Sequence, residues 1–200
     1  MTSIASKYRL SAKEMASFLL ALLGLVLAFA AAWRTNESLL LDLLVILIFL
    51  GPALILHELG HKYAAAVQGF HSEFRVFPIL MIGLAAISLT GFAFVLFGGV
   101  FLECEKKDVI GKVAIAGPLV NLAISLILIP LWWIDAPLVS FFAEATIIIN
   151  SLIAAINLIP CPPLDGFKVF IWNKTCWGVS FLAALLMGMA LMGIYPFTYL

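Results

Sequence analysis

Residues 38 to 67 read SLLLDLLVILIFLGPALILHELGHKYAAAV. A stretch of about 20 apolar residues is enough to cross a bilayer, and this one is longer. A segment in lipid must pair its own backbone groups, which leaves only helices or a closed barrel. The apolar run is continuous rather than alternating, so a helix is expected. Yet it carries His57, Glu58 and His61. An ionisable group in a spanning segment costs about 2.5 to 3.5 kcal/mol even on lenient insertion scales, so three within five residues point to a functional site.

Composition agrees with the membrane reading. Hydrophobic residues make up 64% of the chain and charged ones 11%, against roughly 45 to 50% and 25% in soluble domains. A length of 200 residues fits one domain, and a formal net charge of zero gives no basis for a nucleic-acid partner. Cys104, Cys161 and Cys176 are odd in number and lack CxxC spacing, which favours free thiols.

Five spans are expected, at 15 to 33, 38 to 66, 113 to 134, 140 to 160 and 176 to 197. The first follows Lys7, Arg9 and Lys13 as a signal peptide would, but its 19 apolar residues exceed the roughly 7 to 15 of a signal-peptide core, so a retained helix is expected. The problem segment is 76 to 100, apolar but broken by Gly91, Gly98 and Gly99 around the β-prone GFAFVLF. Positive charge decides how it runs. If it does not cross, ten of the eleven Lys and Arg share one side and only Arg34 lies on the other. Positive residues in short loops gather on the cytoplasmic face. The expected fold is therefore an all-α polytopic membrane protein with about five transmembrane helices, a re-entrant β-hairpin-like segment at 76 to 100 and a cytoplasmic N-terminus. Residues 1 to 200 are expected to form a single transmembrane domain without a soluble accessory domain, in a prokaryotic cell membrane.

His57-Glu58-Leu59-Gly60-His61 is HExxH. On a helix, a spacing of four puts both imidazoles on one face, where they can reach a single metal ion while Glu58 stands beside it as a base for water. With 3 His and 7 Glu in 200 residues, chance would produce the pattern about 0.0015 times. Zn²⁺ suits two imidazoles and one carboxylate with a fourth position open to water. Asp165 is the favoured third ligand. It follows a helix that descends to the side where His57 and His61 lie, and Pro160, Pro162 and Pro163 keep the intervening chain extended. The competing reading is a turn aspartate in Asp-Gly. His71, in the polar loop QGFHSEFR, reads as an interfacial histidine instead.

HELGH in one spanning helix, with Asn157-Leu-Ile-Pro160-Cys-Pro162-Pro-Leu164-Asp165-Gly166 downstream, resembles the site-2 protease family of intramembrane zinc metalloproteases, whose second motif is NxxPxPxLDG. Gly117-Pro-Leu-Val-Asn121 is similar to that family's GxxxN element. These motifs cover about 20 residues, by count of the quoted segments. The resemblance implies one zinc per chain held by His57, His61 and Asp165, Glu58 as base, and cleavage of transmembrane segments of single-span membrane proteins.

Asn157 and Asn121 are candidate catalytic residues, since an amide could hold the substrate oxyanion, although bonding between helices would serve equally well. Asn150 reads as a helix-to-helix bond, and Cys161, between prolines, as packing. Lys62, Arg75 and the charged cluster at 103 to 112 either line a polar opening or are solvated positive charges. A membrane metal transporter or sensor using His57, His61 and Asp165 is the rival reading, though it has no need of Glu58. A di-iron hydroxylase would need far more than three histidines.

Overall fold

The computed structural model describes residues 4–32, 43–91 and 98–194. A short helix α1 (Ile4–Tyr8) precedes α2 (Ala12–Ala32). Ser11 and Glu14 open α2 as a capping box: the Glu14 amide donates to Ser11 Oγ at 3.1 Å and the Ser11 amide to Glu14 Oε2 at 2.9 Å. Helix α3 (Leu43–Val67) carries HELGH, and its segment Ile46–Leu50 is wound as π-helix. Then come β1 (Ser72–Val76), α4 (Pro78–Ser88), β2 (Gly98–Leu102), α5 (Lys107–Trp132), α6 (Pro137–Asn157), α7 (Asp165–Trp172) and α8 (Lys174–Ile194). The prolines after Asn157 end α6, because none can continue a helix.

Among the described residues, four helices are long and apolar enough to cross a membrane: Ala12–Ala30 within α2, then α3, α5 and α6. They match the first four expected spans, although residues 38 to 42 of the second lie outside the described residues. The fifth, 176 to 197, falls on α8, whose apolar stretch Lys174–Met189 is shorter than these four and whose residues beyond Ile194 likewise lie outside the described ones. The faces turned away from the bundle are greasy: Leu19 is 69% exposed and Ile127 71%. In water such surface would be a liability, and against lipid it is the expected face.

The hairpin-like character of the segment 76 to 100 is found at its ends: β1 and β2 pair antiparallel, from Ser72 opposite Leu102 to Val76 opposite Gly98, and α4 lies between them. Most of GFAFVLF, residues 92 to 97, falls outside the described residues. Because Val76 and Gly98 are paired, the chain returns to the place it left, as a non-crossing segment must.

Two apolar clusters organise the bundle. Leu25, Ile46, Ala53, Leu84 and Ile153 join α2, α3, α4 and α6, while Ala114, Leu122, Ala154, Val169 and Ala184 join α5, α6, α7 and α8. Helix α3 crosses α5 closely at Gly60, where an added Cβ would stand 2.8 Å from Val120 and 3.1 Å from the Ala116 carbonyl. The glycine inside HELGH is thus a packing requirement that brings α3 against α5.

Candidate metal centre

His57 and His61 lie one turn apart on α3 and are buried. Their Nε2 atoms are 3.1 Å apart, and Asp165 Oδ2 stands 3.3 Å from the first and 3.0 Å from the second. Asp165 reaches them as the first residue of α7, with Gly166 pressed so tightly on the Leu158 carbonyl that a side chain there would collide. The pairing of Asp with Gly therefore seats a helix start against the end of α6 and is more than a turn.

What lies behind the imidazoles fixes their protonation. Asn150 Nδ2 donates to the Thr146 carbonyl at 2.9 Å, so Asn150 Oδ1 is free to accept from Asn121 Nδ2 at 2.7 Å, and Asn121 Nδ2 also donates to the Ala53 carbonyl at 3.1 Å. With its nitrogen committed, Asn121 presents Oδ1 to His57 Nδ1 at 2.6 Å. That oxygen can only accept, so Nδ1 carries the proton and Nε2 offers a lone pair. His61 Nδ1 faces the Val113 carbonyl at 2.7 Å, with the same consequence. Such donation from the outer ring nitrogen is the usual support of a metal-bound histidine.

Two lone pairs and a carboxylate oxygen thus converge, and they repel one another unless a cation or a proton lies among them. Ligands about 2.0 to 2.1 Å from a tetrahedral zinc are about 3.3 to 3.4 Å apart, close to the separations here, and two histidines plus one carboxylate leave the fourth position that catalytic sites keep open. A second feature fits the same group. A Cβ on Gly117 would collide with the Nε2 atoms of both histidines, so a glycine at that turn of α5 keeps the space beside the donors clear. Burial works against ionising Asp165, whereas Lys168 beside it favours the carboxylate. Its outer oxygen Oδ1 accepts from Lys168 Nζ at 3.2 Å.

Glu58 and His57 open on a shared cavity, with Asn157, Phe74 and Gly98 also in its wall. The cavity offers ≈ 50 Å³ to water, and about 10 to 15 Å³ holds one molecule. Glu58 Oε2 is buried without a hydrogen-bond partner, as expected of a carboxylate waiting for water or substrate. Asn157 donates to the Ile153 carbonyl of its own helix at 3.0 Å while lining the cavity. Asn121 differs: it is fully buried and both ends of its amide are used within the protein, so it faces His57 and not the cavity.

Among the described residues, His57, His61 and Asp165 are the group placed to hold a metal. His71 and Cys161 are exposed and outside it. Arg75 is exposed and pairs with Glu73 at 2.7 Å, and Lys112 pairs with Asp108 at 2.7 Å, both on the surface. Lys62 requires a correction, being neither solvated nor lining an opening: it is 1% exposed, in an ion pair with Glu14. Asn150 is likewise more than a helix-to-helix bond, since it sets the orientation of Asn121. Its seven-residue spacing from Asn157 hinted at a shared face but not at which partner it would meet.

A Methanocaldococcus jannaschii protein named "Putative zinc metalloprotease" is 31% identical to this chain over 179 residues, covering 87% of this chain and 92% of its own length. The chain belongs to that zinc metalloprotease family. A second protein of the same organism, named a zinc metalloprotease, is 27% identical over 144 residues, which are 67% of this chain and 35% of that protein. No protein-family profile matches the chain, and no solved structure matches it.

Proposed function

We propose that this member of the family is an intramembrane zinc endopeptidase of the site-2 protease kind, cleaving transmembrane segments of single-span membrane proteins. The observation that carries the reading is the unpartnered Oε2 of Glu58 beside a three-donor metal site, two of whose donors share with Glu58 a helix long enough to cross a bilayer. One zinc per chain fits the one donor set among the described residues. When bound, zinc supplies a Lewis acid that polarises the scissile carbonyl and makes a water more acidic. Glu58 takes the proton from that water as it attacks, then returns it to the leaving amine. Asn157, on the cavity wall, is the candidate contact for the substrate carbonyl, and Asn121 acts through His57.

The N-terminus and the site face the cytoplasm in this reading, supported by the ten-to-one division of positive charge. A substrate helix must unwind to expose a peptide bond, and its freed backbone then needs partners. The sheet beside the cavity is the proposed source, through β2. A metal transporter would use the same three ligands but gains nothing from Glu58. Glu58→Gln separates the two: zinc retained with cleavage of a co-expressed single-span protein lost supports the peptidase, whereas zinc flux across vesicles untouched by the variant, with no proteolysis by the parent protein, rejects it.

A further inference from the structure

Among the described residues, the most deeply buried charges away from the metal donors are Lys62 and Glu14, each 1% exposed. Lys62 directly follows His61. Its Nζ donates to Glu14 Oε1 at 2.7 Å and to the Ser72 carbonyl at 2.9 Å. The same Oε1 accepts from the Phe74 amide at 3.0 Å, while Oε2 accepts from the Ser11 amide at 2.9 Å. A capping box alone engages one carboxylate oxygen at the start of its helix. Here the other oxygen reaches β1 and the far end of α3, so one side chain joins three elements.

Those elements surround the metal cavity. Helix α2 supplies Phe18 and Leu22 to one wall, α3 supplies His57 and Glu58 to another, and the sheet supplies Phe74 and Gly98. Phe18 also stacks on Phe74, with ring centroids 4.3 Å apart and planes 6° from parallel. Helix α2 packs on β1 and α4, and on α3 through Leu25 against Ile46 and Ala53. The ion pair adds a polar tie between the start of α2 and the end of the helix that carries the two histidines. Replacing a buried ion pair with apolar residues of similar volume is often neutral or stabilising, so stability alone does not explain keeping one here.

We propose that Glu14 and Lys62 are a positioning pair for the metal site. They hold α2 and the β1–β2 sheet at a set distance from α3, and so fix the width of the cavity that must receive an unwound substrate backbone. The consequence for substrate rests on the peptidase reading above; the distance claim does not.

The test is the double variant Glu14→Met/Lys62→Met, which removes both charges and leaves no buried charge unpaired. Spin labels at two exposed positions, Leu19 on α2 and Val67 on α3, would be introduced into the full chain with its three cysteines replaced, in lipid vesicles. A narrow distance distribution is expected with Glu14 and Lys62 in place and a broader one in the double variant. Zinc content and melting temperature should be kept, while KM for a membrane-embedded substrate rises about tenfold or more and kcat changes less, as loosened positioning predicts. An unchanged distribution and KM would overturn the proposal. So would joint loss of zinc, stability and activity, which would make the pair a general element of the fold. If the parent protein cleaves nothing with zinc bound, the peptidase reading fails, and the distance distribution still decides the pair.

Discussion

The two sides of the cavity are built differently. On the α5–α6 side, the metal donors are held by a polar chain running from the Thr146 carbonyl through Asn150 and Asn121 to His57, and by the Val113 carbonyl behind His61. On the α2 side, the wall is apolar and its polar anchorage gathers at Glu14 and Lys62. The first arrangement fixes a tautomer and a ring orientation, which a metal site needs to within fractions of an ångström. The second fixes only where a wall stands. Perturbing the first should be read in metal and chemistry, and perturbing the second in substrate binding.

The largest effect expected on the donor side comes from Glu58→Gln. It removes the base while keeping shape and ligands, so turnover should fall by about 10² to 10⁴ with zinc content unchanged. Metal analysis and single-turnover cleavage of one preparation check both halves, and normal turnover in the variant would refute Glu58 as base. Asp165→Ala should reduce zinc below one per chain, because a donor is lost outright. Full occupancy in that variant would remove Asp165 from the ligand set.

Asn121→Leu leaves every ligand in place but deprives His57 of the acceptor that holds its Nδ1 proton. A zinc affinity weaker by about 10 to 100-fold is expected, measured by competition with a chelator. If affinity is unaltered while cleavage falls, Asn121 acts on substrate and not through His57. The smallest effect belongs to the other wall. Phe18→Ala removes the stack on Phe74, worth about 0.5 to 1.5 kcal/mol beyond the apolar area lost, so a lower melting temperature with unchanged zinc is expected. A loss of zinc in that variant would erase the distinction between the two sides.

The metal site was more legible in the sequence than its surroundings, for a reason of distance along the chain. HExxH is local: once a helix is assumed, its geometry puts residues four apart on one face, whatever packs against them. The spans were legible because bilayer thickness sets the length of an apolar run. Asp165, 108 residues beyond His57, could be anticipated because membrane depth and the prolines after Asn157 restrict where the chain can go.

What only the tertiary structure decided are the partners that no spacing encodes. Lys62 reads in the sequence as one of the positive residues expected on a single face, and only the approach of α2 and β1 turns it into a buried partner of Glu14. Asn121 looked able to meet substrate or a neighbouring helix, and the crossing of α3, α5 and α6 committed its amide to Ala53, Asn150 and His57. The pairing of Ser72–Val76 with Gly98–Leu102 is likewise a choice of the fold, because a strand is completed by its neighbour across the sheet and not by its own β-propensity. Periodicity and span length are properties of one segment and its solvent, so the sequence carried them. Hydrogen-bond partners are chosen by which segments meet, and that is settled only when the helices pack.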